Sequence, residues 1–257
     1  EEKYSGDSFQ GSYVAGVYYP DKTRVGWWKN GYPEYFAKVL NAPNFIGIDV
    51  FVDGEELDLA TVQEVSDYRR ELNMKEGWYE RSFVAHFSDD KAIKVVARRF
   101  MSLEIDELAV MNYEVTAVKG DLRISFQPYI DAGITNEDTN WDDKFWEVEK
   151  LVSEDHQGLV RSRTNKTNFY VATYMQSELI KNGEHVQYAE HFDQNDAVIR
   201  HKVGCHIAPG ESVTLIKYAG YVSSINHEHL ELFTAAKAVL HKATALGYES
   251  LLKLQAD

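Results

Sequence analysis

Asp121-Leu122-Arg123-Ile124-Ser125-Phe126-Gln127 sets an apolar side chain at every second position, with charged or polar residues between. Successive side chains of a strand point to opposite faces, so this run describes a β-strand with one face in a core and the other toward water. Tyr79, Phe83, Ala85 and Phe87 do much the same against Glu80, Ser82 and His86. Further strands are expected at Ile46 to Val52, Ala92 to Phe100, Ala109 to Ala117, Gly158 to Arg163, Phe169 to Met175, Ala197 to Ile207 and Val213 to Val222. Turn signals separate them: Asp53-Gly54, Lys119-Gly120-Asp121, Asn182-Gly183 and Pro209-Gly210. Many strands joined by tight turns, with few helical interruptions, predict an all-β antiparallel sandwich and argue against alternating βαβ units. A short helix is expected around Pro33 to Leu40.

The period changes after Tyr221. Ser223, Ser224 and Asn226 are available to cap a helix on which Leu232, Ala236, Val239, Ala243 and Leu246 recur at steps of three and four, with Gly247 as its stop. A second helix is expected from Tyr248, with Leu251, Leu252 and Leu254 on its apolar face, too short to hold without tertiary support. The chain therefore reads as severed inside a helical region. It also reads as cut at its start: Glu1 is not a methionine, and Tyr4 to Val17 suggests a turn followed by an apolar strand already under way.

At 257 residues the chain is one large domain or two ordinary ones, and 44% hydrophobic with 13% aromatic residues is ample for a core. Its 41 acidic against 27 basic side chains give a formal charge of −14, which repels phosphate backbones and anionic membranes, so neither nucleic acid nor a membrane surface is an expected partner. Cys205 is the lone cysteine, excludes an intramolecular disulfide, and reads as a buried thiol in a strand. With no apolar run of bilayer length and no signal peptide at the N-terminus, a cytoplasmic location is expected. The sequon Asn165-Lys166-Thr167 would matter only in a glycosylating secretory route.

The segment Pro128 to Trp146 crowds carboxylates and aromatic rings into a stretch with little periodic pattern. Carboxylates and amides bond to hydroxyls while Trp and Tyr faces stack on the apolar face of a pyranose, so the segment raises carbohydrate chemistry. Paired carboxylates could cleave a glycosidic bond, but Asp142 and Asp143 are sequence neighbours that need not converge, and Asp131 and Glu137 have no fixed relation; a solvated acidic loop is the plainer reading. Asp138, Asn140, Asp142 and Glu149 fall at calcium-loop positions, yet Asp143 stands where the turn needs glycine. His227-Glu228-His229 would place its imidazoles about 200° apart on a helix, too far round to share an ion, and reads as an exposed first turn. Gly6-Asp7-Ser8 lacks the strand-turn-helix context of a nucleophile elbow. His201 and His206 fall on opposite faces of one strand and read as structural or surface residues.

Longer motifs carry a resemblance. Tyr4 to Ile48, including residues 18–36 and 41–48, then Asp67 to Phe83, Arg98 to Leu103, and Pro128 to Trp146 with its Thr-Asn-Glu-Asp-Thr-Asn core, resemble in the same order the N-terminal region of maltose phosphorylase-like enzymes of glycoside hydrolase family 65. The resemblance covers essentially the whole chain. It implies a large two-sheet super-sandwich of the galactose-mutarotase-like type over residues 1–224, with a truncated start, and linker helices over 225–257 leading to an (α/α)₆ catalytic barrel outside this chain. It also implies reversible, inverting phosphorolysis of an α-glucoside, giving β-glucose 1-phosphate and, for the maltose enzymes, glucose. Inorganic phosphate is the co-substrate, with no cofactor and no metal.

Phosphate is then the nucleophile, so one general acid suffices, and the resemblance places that acid in the barrel. No catalytic residue carries over to this chain, which is expected to be inactive alone while supporting the barrel, its α-glucoside pocket and a homodimer. The loop residues expected to touch the barrel first, or the sugar second, are Trp27, Trp28, Lys29, Trp141, Asp142 and Asp143. Two alternatives stand beside this: a free-standing carbohydrate-binding module, or an aldose mutarotase-like sandwich using His86, His191 and Glu114. Linkage among maltose, kojibiose, trehalose and nigerose is left open.

Overall fold

The computed structural model describes residues 3–6, 11–23, 26–137, 144–187 and 191–256, with the side chains of Trp27 and Trp28 excepted. In chain order its strands are β1 (Tyr18–Lys22), β2 (Tyr35–Val39), β3 (Ile48–Val52), β4 (Glu55–Glu56), β5 (Glu64–Asn73), β6 (Trp78–Ser88), β7 (Lys91–Met101), β8 (Leu108–Lys119), β9 (Leu122–Asp131), β10 (Trp146–Glu154), β11 (Gln157–Thr164), β12 (Tyr170–Lys181), β13 (Glu184–His185), β14 (Phe192–Gln194), β15 (Val198–His201), β16 (Val203–Ile207) and β17 (Ser212–Ser223). One helix, α1 (Leu232–Ala256), follows them.

The strands form a super-sandwich of two antiparallel sheets. The larger has the order β10-β11-β12-β17-β8-β7-β6-β5, with β13 on β12. The smaller has the order β14-β15-β9-β3-β4, with β16 also on β9. Alternation decides what lies between them. On β9, Leu122, Ile124, Phe126 and Ile130 face inward, and they meet Phe83, Val95, Tyr113, Val115 and Leu215 of the larger sheet in one buried cluster. Each such side chain contributes about 1.5–3 kcal/mol on burial. The turns are where glycine and asparagine put them: Asp53-Gly54 and Asn182-Gly183 both have positive φ at both residues, the geometry of a two-residue hairpin turn.

The larger sheet is buried on its other face too, at one end. Leu108, Val110, Leu159, Tyr174 and Tyr218 are covered there by Leu232, Ala236, Leu240 and Ala243 of α1. Gly247, with φ 74°, breaks α1 where the apolar stripe stops, and Tyr248 and Leu251 beyond it return to the same cluster. The expected pair of helices is thus present, joined at a glycine kink. None of the described helical residues is part of a span long and apolar enough to cross a membrane.

Five expectations are corrected. Pro33 to Leu40 is not a helix: Tyr35–Val39 is strand β2, paired with β1, because Tyr, Phe and Val favour an extended ladder and so short a helix has little stability of its own. Residues 11–17 form no strand; the chain turns at Ala15-Gly16, where the Val17 N–H meets the Val14 carbonyl at 3.2 Å, and strand begins only at Tyr18. Ser223 and Ser224 do not cap α1, since Ser223 ends β17, the Ser224 hydroxyl accepts the Tyr170 N–H at 3.0 Å, and the helix starts at Leu232. Ala197 to Ile207 is two strands, interrupted at Lys202, whose N–H turns to the His191 carbonyl at 3.0 Å. Cys205 is half-buried, and burial pushes its thiol pKa up.

Parity along β17 sends Val213, Leu215, Lys217 and Ala219 inward, so a lysine enters the core. Lys217 is fully buried, and its Nζ donates to the carbonyls of Gly47 and Tyr129, each at 2.9 Å. Those carbonyls flank β3 and end β9 in the smaller sheet, so one side chain fastens the two sheets. The Tyr129 ring constrains the same place: a Cβ at Gly47 would lie 1.9 Å from its Cζ.

Lys217→Met retains the apolar stem and removes the charged donor shared by both carbonyls; the Gly47 carbonyl keeps the Tyr129 N–H at 3.1 Å, and hydrogen bonds from a charged group contribute about 1.5–3 kcal/mol each. Urea denaturation is expected to show an unfolding free energy lower by roughly 2–5 kcal/mol, with the slope against urea unchanged.

Candidate functional site

β1 and β2 form a separate ribbon, in register from Tyr18↔Val39 to Lys22↔Tyr35. Its inner side is closed by Tyr19, which packs on Phe145 at 4.5 Å between ring centroids, within a cluster of Val17, Leu40, Ala42, Trp146 and Val171. Into this cluster go Asp21 and Lys38, 2.7 Å apart with each side chain only 3% exposed. The Lys38 nitrogen also sits 5.6 Å from the ring centres of both Phe36 and Phe145. The outer side is different: Tyr18, Tyr35 and Val39 are all exposed there.

Beside the ribbon, Asn41 gathers three segments. Its Oδ1 accepts the Ser12 N–H at 3.0 Å, its Nδ2 donates to the Thr135 carbonyl at 3.1 Å, and its own N–H donates to Asn136 Oδ1 at 2.9 Å. Its carbonyl accepts from Trp146 Nε1 at 2.8 Å, and Asn136 Nδ2 donates to the Val39 carbonyl at 3.0 Å. The acidic, aromatic segment that starts after β9 is therefore fastened at both its ends to one residue. A groove of about 610 Å³ lies there, lined by Tyr13, Phe36, Lys38, Asn41, Asn136 and Glu137 among others. The amides of Asn41 and Asn136 are spent on backbone partners, so the wall offers the Tyr13 and Phe36 rings and the Glu137 carboxylate.

Trp141, Asp142 and Asp143 lie outside the described residues, as do Asp138 and Asn140 of the calcium-like pattern. Trp27, Trp28 and Lys29 occupy a 3₁₀ turn, Trp27–Asn30, in the connection between β1 and β2, with Lys29 exposed. That turn is at the opposite end of the ribbon from Asn41. Asn41, Asp21 and Lys38 were not singled out in the sequence, and only a charged residue in each aromatic strand, Asp21 and Lys38, gave a signal.

The mutarotase set does not converge. Glu114 on β8 pairs with Val96 on β7, Val96 pairs with Ser82 on β6, and His86 lies four residues farther along β6. His191 is exposed on the other sheet's side, ahead of β14. Among the described residues, no three His, Cys, Asp or Glu side chains are grouped to hold a metal. His201 is buried and stacked on Phe192 at 4.5 Å; burial pushes its pKa down to about 4, so it is neutral near pH 7, while His206 faces solvent. His227 precedes α1, outside its first turn, and its Nε2 lies 2.7 Å from Glu107 Oε1.

The family described as glycosyl hydrolase family 65, N-terminal domain, matches residues 1–257. Maltose phosphorylase of Bacillus subtilis (strain 168) is 37% identical over 257 residues, covering 100% of this chain and 33% of that protein. Alpha,alpha-trehalose phosphorylase of Thermoanaerobacter brockii is 27% identical over 272 residues, covering 100% of this chain and 34% of that protein. A solved structure named "Putative kojibiose phosphorylase from human microbiome" superposes with a TM-score of 0.83 at 21% identity, over 99% of this chain and 32% of its own, a likeness of fold. The chain thus spans about a third of the length of these relatives.

Removing one member of a buried ion pair strands the other, at about 3–5 kcal/mol. Lys38→Met is therefore expected to lower the unfolding free energy by about that much, and Asp21→Asn with Lys38→Met to recover most of the loss, read by denaturant titration of the three proteins.

Proposed function

The chain belongs to glycosyl hydrolase family 65 as its N-terminal domain, and from that premise we propose that it is the non-catalytic sandwich of an inverting α-glucoside phosphorylase acting on maltose. The whole-chain likeness to a maltose phosphorylase, at higher identity than to the trehalose enzyme, carries this reading. In the parent reaction a phosphate oxygen attacks the anomeric carbon, the glycosidic C–O bond breaks, and a general acid delivers its proton to the departing glucose. Attack from the opposite face gives β-glucose 1-phosphate. The nucleophile is the co-substrate, so the protein supplies one carboxyl group, no cofactor and no metal.

Within that parent, residues 1–224 act as a support and 225–257 as the connection to the barrel. The ribbon, fixed by its buried ion pair, presents the exposed rings of Tyr18 and Tyr35, which are suited to meeting another protein surface. Trp27, Trp28, Lys29, Trp141, Asp142 and Asp143 are assigned to barrel contact first and sugar contact second, and the parent is a homodimer in the cytoplasm. The geometry of His86, Glu114 and His191 gives the mutarotase alternative no support.

The full-length protein, given maltose and inorganic phosphate, is expected to release β-glucose 1-phosphate and glucose in equal amounts, with the anomer assigned by NMR. The 257-residue chain under the same conditions is expected to release neither. Turnover by the short chain, or release of the α-anomer by the long one, would contradict the proposal.

A further inference from the structure

A second groove, of about 590 Å³, opens at the end of the sandwich where the β5–β6 turn, the β7–β8 connection and the last turn of α1 meet. Its floor reaches inner-face residues, Phe45, Ala109 and Met111, so it is an unfilled mouth of the core itself. Its rim is apolar and uncovered: Leu72 is 66%, Met101 54% and Leu103 74% exposed. Apolar surface gathered round one opening marks a contact site more often than a free surface. Several polar groups of the lining are already engaged within the protein: the Tyr221 hydroxyl donates to the Pro43 carbonyl, the Gln255 amide bonds Leu103 and Gly77, and Arg99, its single charged side chain among the described residues, stacks on Tyr79 at 5.0 Å.

Gln255, in the last turn of α1, crosses this rim. Its Oε1 accepts the Leu103 N–H at 2.9 Å and its Nε2 donates to the Gly77 carbonyl at 3.3 Å. The end of α1 is thereby tied to both connections that frame the groove. In relatives three times as long, whatever polypeptide follows this helix sets out from the groove's edge. A segment tethered at that point has an effective concentration no free partner matches.

We propose that the groove seats apolar side chains of the segment that follows α1 in the full-length protein, making it the joint between the sandwich and the remainder of the chain. The proposal rests on the reading of this chain as one domain of a longer phosphorylase. The mouth shares the wall at Gly11 and Tyr13 with the groove beside Asn41, but its rim lies on other elements, and the proposal assigns Leu72, Met101 and Leu103 to an intramolecular interface.

A photo-crosslinking benzoylphenylalanine placed at position 103, and separately at position 72, tests it in the full-length protein. Both sites are exposed in the sandwich, so the probe does not burden its fold. Irradiation is expected to give adducts within a single polypeptide, mapped by mass spectrometry to peptides beyond Asp257. Adducts joining two copies, adducts confined to the sandwich, or none from either position would overturn the proposal. A native protein whose intact mass is that of these 257 residues alone would overturn the longer-enzyme reading as well, and is distinguished from the other failures by that mass.

Discussion

A lysine nitrogen sealed from water must find its hydrogen-bond acceptors inside the protein, and Lys217 finds them on the opposite sheet. The apolar contacts between the sheets are non-directional and would tolerate a small slide of one over the other. Two directed bonds to the Gly47 and Tyr129 carbonyls do not. They set β3 and β9 against β17 at one position, and the Tyr129 ring, which occupies the space a side chain at 47 would need, closes the same joint from the other side. Nearby, Arg200 lies over the Tyr129 ring and 3.3 Å from Asp49, whose carboxyl burial holds above the usual carboxylate range.

The remaining parts are attached to the sheet that carries Lys217. α1 covers the far face of β8, β12 and β17, leaving that sheet buried on both sides at one end. The β1–β2 ribbon closes over Trp146 and Val171, at the start of β10 and β12, and Tyr221 of β17 donates to the Pro43 carbonyl at 2.6 Å. Among the described residues, exposed apolar side chains gather at the ribbon's outer side and at the mouth beside Gln255, with others such as Met74, Ile225 and Leu230 elsewhere.

Period-two alternation was enough to find β6 and β9, because each has one drier and one wetter face, and Lys119-Gly120-Asp121 marked the turn between β8 and β9. Gly247 was legible as a helix stop because φ 74° is a conformation few other residues adopt readily. β5 was not, since it is an edge strand with Arg69, Arg70 and Glu71 in water and no dry face to create a pattern. Lys217 sat in plain view at an inward position of an apolar run, yet its meaning depends on carbonyls 88 and 170 residues away. Asn41 was silent for the same reason. Family motifs carried the likeness to the phosphorylases, while Trp141, Asp142 and Asp143 lie outside the described residues.

The central claim is that the two sheets are fastened into one cooperative unit. Native-state hydrogen exchange on the sandwich measures this most directly, by comparing the slowest amides of β9 in the smaller sheet with those of β8 in the larger. The account predicts equal opening free energies for both, matching global unfolding. Exchange of β9 through a cheaper opening, while β8 remains protected, would contradict it.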